Sequence, residues 1–526
     1  MSWSFRTETA IGRRQPGITI PIAVIIFVLL RGHMSFGATE PSGNCAASTE
    51  KANALLEQHQ SRKARQVLQA AIKTCDKNAG LFNVLGLAYD FDGQFEQAQA
   101  AYRKAVMLDP VDSTFRNNLA SSYLRSGKQA SGIAEFKRVL ESDPRNPAAN
   151  LNLGSLYLTE KLYGRALLYL EAGGAAQTTD PVLLLEMTDA YFGSDKPEAA
   201  ISTAERASRL AGSDPRIHFS LGTELARHGE YQRAAEQFQA VPPPDRDAAT
   251  DLDLGMTLSK LGRYADASQA YQDAIRQDPS NPDPYLHMGL DTLATGESRS
   301  AVDWLRLAHD KAPGRPDISY ALAEGLISAK DFEGARSLLT TTLQSRPGDP
   351  ALLKALGDLH LKQGNPAMAE KAYLQSLKSD PHGAGARLAL AKTYTAQKKN
   401  SLAIDELKKV LEIDPHNAEA QAEQGHIAMD AGQPDVAMQW IRKALSNDSN
   451  NVTANQDLAA LALRQDKPSE ARMALERLLK INPNNPGFHY LLGQTFMKLG
   501  DPAKARAEFN LSRKLQSAGA VGGTKN

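Results

Sequence analysis

A small residue recurs along this chain at an almost constant interval. It falls at Ala52, Gly86, Ala120, Gly154, Thr188, Gly222, Gly255, Gly289, Ala323, Gly357, Ala391, Gly425, Ala459 and Gly493. Twelve of the thirteen steps are 34 residues, and one, Gly222 to Gly255, is 33. Twelve residues after each mark comes a second small residue, Ala at thirteen positions and Gly132 at the other. A unit this short cannot bury its own apolar side. Copies must stack on one another, so the period decides the architecture before any local propensity is weighed.

Residues 81–110, LFNVLGLAYDFDGQFEQAQAAYRKAVMLDP, show the unit. Apolar residues three and four apart predict two short helices. Between them, Asp92-Gly93-Gln94 is a polar turn whose Gly can adopt the left-handed conformation that closes a helix. Small residues at the two marks let the antiparallel helices approach where they cross. Larger ones fill the space around them, as Tyr89, Tyr102, Phe136, Tyr271 and Tyr373 do. Asp-Pro closes many units, at Pro110, Pro144, Pro279, Pro381 and Pro415; Pro lacks an N–H and restricts its neighbour. Asn146-Pro147, Asn281-Pro282 and Asn485-Pro486 then supply a cap and a first helical residue.

The small mark, the second-helix Ala, the aromatic positions and the closing Pro together make the chain resemble the tetratricopeptide repeat family over about residues 45–516. That resemblance implies an all-α fold, a right-handed superhelical solenoid of about fourteen helical hairpins. First helices would line its concave face. Departures from the pattern are local. Thr188 replaces Gly or Ala, and Asp180-Pro181 and Asp214-Pro215 come three residues later than the closing Pro should. This suggests longer helix ends or a shifted junction around Tyr191. The tract Val241-Pro242-Pro243-Pro244-Asp245 cannot be helical throughout and reads as a stiff bend between two halves. The expected organisation is a signal segment at 1–37, a short linker at 38–44, hairpins at 45–241, the Pro-rich bend at 242–247, hairpins at 248–516 and a disordered tail at 517–526.

The beginning of the chain differs in kind. Arg6, Arg13 and Arg14 precede an apolar run from Ile18 to Leu30, and Ser35, Gly37 and Ala38 follow. This is the three-part layout of a secretory signal, with an apolar core short for a membrane span. Two outcomes stay open: cleavage after Gly37, giving a periplasmic or secreted protein, or an uncleaved inner-membrane tether through residues 18–30. Cys45 and Cys75 are the only cysteines. They fall at the start of one helix and the end of its antiparallel partner, side by side, and an exported chain would let them form a disulfide.

Lys+Arg and Asp+Glu are equal at 60 each. Such a balance argues against nucleic acid as a partner, because a polyanion binder needs a basic stripe to displace counterions. No catalytic or metal-ligating motif is present: there is no helical His-Glu-x-x-His, no nucleophile elbow and no phosphate loop. His360 falls at a packing position, while His287 and His426 belong on the concave side. Asn83, Asn117, Asn118 and Asn152 on early first helices are the binding candidates. An amide both donates and accepts, so a line of them could hold an extended backbone. Lys354 and Lys392 lack the Asn partners of the family's clamp for chaperone tails. The chain therefore reads as a non-enzymatic scaffold without cofactors, in the cell envelope or secreted, binding other proteins or peptides. The alternative is an accessory array for exopolysaccharide synthesis or export, or for envelope complex assembly.

Overall fold

The computed structural model describes residues 43–522. The proposed signal segment and its tether lie outside the described residues, as do 523–526. Among the described residues there are 28 α-helices and two 3-10 turns, arranged as fourteen consecutive antiparallel hairpins. Two compact units divide between Asp278 and Pro279, and each holds seven hairpins. Hairpin one is Gly43–Glu57 with Ser61–Ile72, and hairpin two is Ala79–Phe91 with Phe95–Leu108. No described helix is long and apolar enough to cross a membrane.

Packing follows the small marks. All thirteen second-helix Ala residues of the register are 0% exposed. Each mark sits against the residue sixteen positions later. A Cβ added at Gly86 would lie 2.5 Å from the Tyr102 ring, one at Gly255 2.4 Å from Tyr271, and one at Gly357 2.4 Å from Tyr373. Where the mark is Ala, the facing residue is Leu68, Phe136, Leu339, Leu407 or Leu475, never Tyr. Thr188 reverses the sizes. The larger side chain occupies the mark, and the register places Ala204 opposite it, 2% exposed. The Thr188 hydroxyl donates to the Leu184 carbonyl at 2.9 Å, which satisfies it in a fully buried position. The departure is a volume exchange, tolerated because total volume is kept.

Helix starts correct one expectation. Asp180-Pro181 and Asp214-Pro215 are not delayed closures. Asp180 accepts from the Val182 N–H and Asp214 from the Arg216 N–H, so both are N-caps with Pro in the first turn. Pro147, Pro181 and Pro215 thus keep the 34-residue step of first-helix starts. The irregularity lies earlier. In hairpin four the second helix, Tyr163–Ala172, stops after ten residues at Gly173-Gly174, and a 3-10 turn, Ala175–Gln177, completes the connection.

The Pro-rich tract forms one 3-10 turn, Pro243–Asp245, inside the first unit. It joins hairpins six and seven, and Val241 before it is buried. The break between units falls instead after hairpin seven. The three prolines follow a second helix that stops after ten residues, Tyr231–Ala240, and the connection lengthens to 241–247. The final helix runs Pro502–Gly522 and so continues into the segment expected to be disordered, since no Asp-Pro follows Leu515 to stop it.

Candidate functional site

First helices carry the candidate surface. At roughly 100° per residue, positions three and two before the mark and one after it share about 100° of arc. This face is turned from the second helix that the mark packs against. Each position makes a column of side chains from hairpin to hairpin.

The asparagines in these columns are mostly spent on holding neighbouring hairpins together. Asn83, Asn117 and Asn118 are only 8%, 4% and 4% exposed. The Asn118 amide donates to Asn83 Oδ1 at 2.8 Å, and the Asn117 amide donates to Asn146 Oδ1 at 3.1 Å. Asn146 is itself the N-cap of the next first helix. Asn152 is half-buried and donates to the Ala148 carbonyl of its own helix at 2.7 Å. Asn83, Asn117 and Asn118 thus take part in bridges between hairpins, while Asn152 is engaged within its own helix. The sequence locates the column, but only stacking shows that the amides meet one another first. A second bridge links hairpins two and three: buried Asp90 receives the Tyr102 hydroxyl at 3.0 Å and the Ser122 hydroxyl at 2.8 Å, and pairs with Arg125.

Further along the first unit the same face is apolar and acidic. The first helices of hairpins four to seven are Pro147–Thr159, Pro181–Gly193, Pro215–Arg227 and Ala248–Lys260. Leu151, Leu185, Phe219 and Leu252 form a half-buried apolar column. Beside it stand Glu186 and Asp253, and one turn on, Asp189 and Glu224. Glu186 accepts the Ser155 hydroxyl at 2.5 Å. Burial pushes its carboxyl up to about 7. Burial and the neighbouring Asp247 push Asp253 to about 7, and burial with Glu224 alongside pushes Asp189 to about 6. Sequence reasoning missed these carboxylates. Their columns were legible, but their burial depends on how neighbouring hairpins close over them.

In the second unit the corresponding face carries ion pairs. Lys354 Nζ lies 2.5 Å from Asp358 and 3.2 Å from the Tyr320 hydroxyl, with Glu324 at 3.9 Å. Tyr373 donates to Asp358 at 2.6 Å. Lys392 pairs with Glu419, Lys398 with Asp430 at 2.7 Å, and His426 with Asp457 at 3.1 Å. Both lysines of the absent clamp are thus neutralised within the fold. The Asp457 hydrogen bond raises His426. His360 is half-buried, and burial lowers it. No cluster of three or more metal-ligating side chains exists among the described residues.

Glu186 makes a pH prediction. Its folded value of about 7 stands above the ordinary 4.5, so the folded state holds a proton that the unfolded chain releases. Its contribution is most favourable below 4.5 and is lost as pH rises through 7. Glu186→Gln keeps an acceptor for Ser155 and cannot ionise. Urea melts compared with the parent at each pH are expected to show little difference at pH ~4 and a gain of about 3 kcal/mol at pH ~8. An equal effect at both would refute burial as the cause.

Comparison with known proteins supports the repeat reading. Tetratricopeptide repeat models match residues 83–139, 117–181, 185–249, 354–418 and 388–452, and further ones match 255–290, 292–359, 326–377 and 462–516. The BBSome complex member BBS4 of Bos taurus is 28% identical over 220 residues, 42% of this chain and 42% of that protein. Its Mus musculus counterpart is 28% identical over 283 residues, 47% of this chain and 54% of that protein, so the chain spans about half the length of these relatives. The type IV pilus assembly protein PilF of Pseudomonas aeruginosa is 26% identical over 194 residues, 36% of this chain and 75% of that protein. Among solved structures, yeast Tom70 aligns over 83% of this chain and 96% of its own at 15% identity, with a TM-score of 0.41.

Proposed function

Because the chain belongs to the tetratricopeptide repeat family, we propose that it is a non-enzymatic scaffold that binds other proteins or peptide segments on the shared face of its first helices. The observation carrying this reading is the half-buried column Leu151, Leu185, Phe219 and Leu252, apolar side chains that hairpin packing does not fully consume. Repeats present such columns over many hairpins with no chemistry of their own. An export compartment, periplasmic, secreted or tethered at the inner membrane, is part of the proposal. It is supported by the Cys45–Cys75 disulfide, which persists in oxidising surroundings. The match to a pilus assembly protein favours a role in assembling an envelope complex.

Site-specific photo-crosslinking in the native cell tests both parts. A crosslinker at Thr223, on the first-helix face, is expected to give protein adducts. One at Leu168, 64% exposed on a second helix, is not. Adducts from Leu168 alone would move the surface elsewhere. Recovery of the protein from the cytosol with Cys45 and Cys75 reduced would end the export reading.

A further inference from the structure

Two features of hairpins four to seven coincide. One is the apolar column already described. The other is a pair of carboxylates left without a counter-charge. No cation stands against Glu186 or Asp253 among the described residues. Glu186 is only 5% exposed, and beyond the Ser155 hydroxyl it has no hydrogen-bond partner among the described residues. Both arginines of the first helix of hairpin six, which lies between those of hairpins five and seven in the chain, are engaged by acids: Arg216 with Asp214 at 3.0 Å, and Arg227 with Glu224. The second unit shows the contrast, where Asp358 faces Lys354 of its own first helix, and Glu419 and Asp457 face Lys392 and His426 of the preceding first helices. An uncompensated carboxylate in a half-buried apolar groove is unfavourable by itself, and a cation arriving with its own apolar neighbours relieves it.

We propose that the first-helix face of hairpins four to seven takes a protein segment in which basic residues are interspersed with apolar ones. Its cations seat at Glu186 and Asp253, and its apolar side chains lie on Leu151, Leu185, Phe219 and Leu252. This rests on the scaffold reading and names the chemistry of its partner. Packed helices run about 10 Å apart, so Glu186 and Asp253, two hairpins apart, are separated by about 20 Å. An extended strand advances about 3.4 Å per residue and covers that span in about six residues. The segment therefore carries Lys or Arg about six residues apart with apolar residues between them.

The test uses the full chain and a short fluorescein-labelled peptide of Leu and Ser with two Lys about six residues apart. Fluorescence anisotropy is expected to show saturable binding. The same peptide with Glu for Lys is expected not to bind. Glu186→Gln with Asp253→Asn should weaken the Lys peptide by about tenfold or more, as loss of charge-assisted contacts requires. Both substitutions remove a buried charge, so the variant should melt no lower than the parent, and circular dichroism confirms its fold. A second variant, Phe219→Ala, should weaken binding with the carboxylates intact. No binding of the Lys peptide, equal binding of the Glu peptide, or affinity untouched by the double variant each overturns the assignment. Crosslinked partners that persist from Thr223 in the double variant would leave the scaffold reading standing and sink this one. Absence of protein adducts at Thr223 in the parent would sink the scaffold reading itself.

Discussion

Gly86→Val is expected to destabilise hairpin two by about 3 kcal/mol. The new Cβ would lie 2.5 Å from Tyr102 Cε1, and the ring has no room to retreat. Tyr102 is fully buried, and its hydroxyl is held 3.0 Å from Asp90, which also receives Ser122 and Arg125 from hairpin three. Moving the ring breaks that bridge or forces the two helices apart. Better helix propensity at the position offsets only about 0.5 kcal/mol of this. The damage should spread to hairpin three and stop soon after, because repeats couple to their neighbours alone. Hydrogen exchange followed peptide by peptide reads this directly. The control is Ala120→Gly in hairpin three, whose mark faces Phe136 and already accepts a Cβ. It should lose only about 1 kcal/mol of helix propensity. Equal losses at Gly86 and Ala120 would show that the Tyr-facing glycine is not a packing requirement.

Removing the disulfide is expected to be the largest single loss at the start of the array. Cys45 and Cys75 are bridged across 30 residues with Cα atoms 6.1 Å apart, and both are buried in the cluster that holds Leu56, Leu68 and Leu81. A loop of that size contributes about 3–4 kcal/mol in the chain-entropy model. The bridge matters more here than it would mid-array, because hairpin one has a described neighbour on one side only. Cys45→Ser with Cys75→Ser should let residues 45–75 exchange freely while hairpins five to seven keep their protection. Unchanged protection of hairpin one in the double variant would show that apolar packing alone holds it.

How far the fold could be read in advance follows from how local each signal is. The 34-residue period, the 0% exposed Ala residues and the capping Asn and Pro residues all act within one hairpin. Their meaning does not depend on neighbours. The misread positions are those whose role is set between hairpins. Asp180-Pro181 has the composition of a helix stop and acts as a helix start, because the preceding helix had already ended at Ala172. Asn83 and Asn118 look like groove amides, and stacking brings the Asn118 amide to 2.8 Å from Asn83 Oδ1, a contact that only the neighbouring hairpin supplies.

The sequence by itself determined that the polypeptide must be a stack of helical hairpins, since a unit of two short helices has one apolar side and nowhere within itself to hide it. Which polar side chains would be consumed in the stacking, and which left waiting, was decided only by tertiary structure. Asp457 meets His426 of the preceding hairpin at 3.1 Å, whereas Glu186 meets only the Ser155 hydroxyl. The physical reason is that desolvation and ion pairing depend on distances between residues more than thirty positions apart in the chain, and one repeat carries no record of its neighbour's packing.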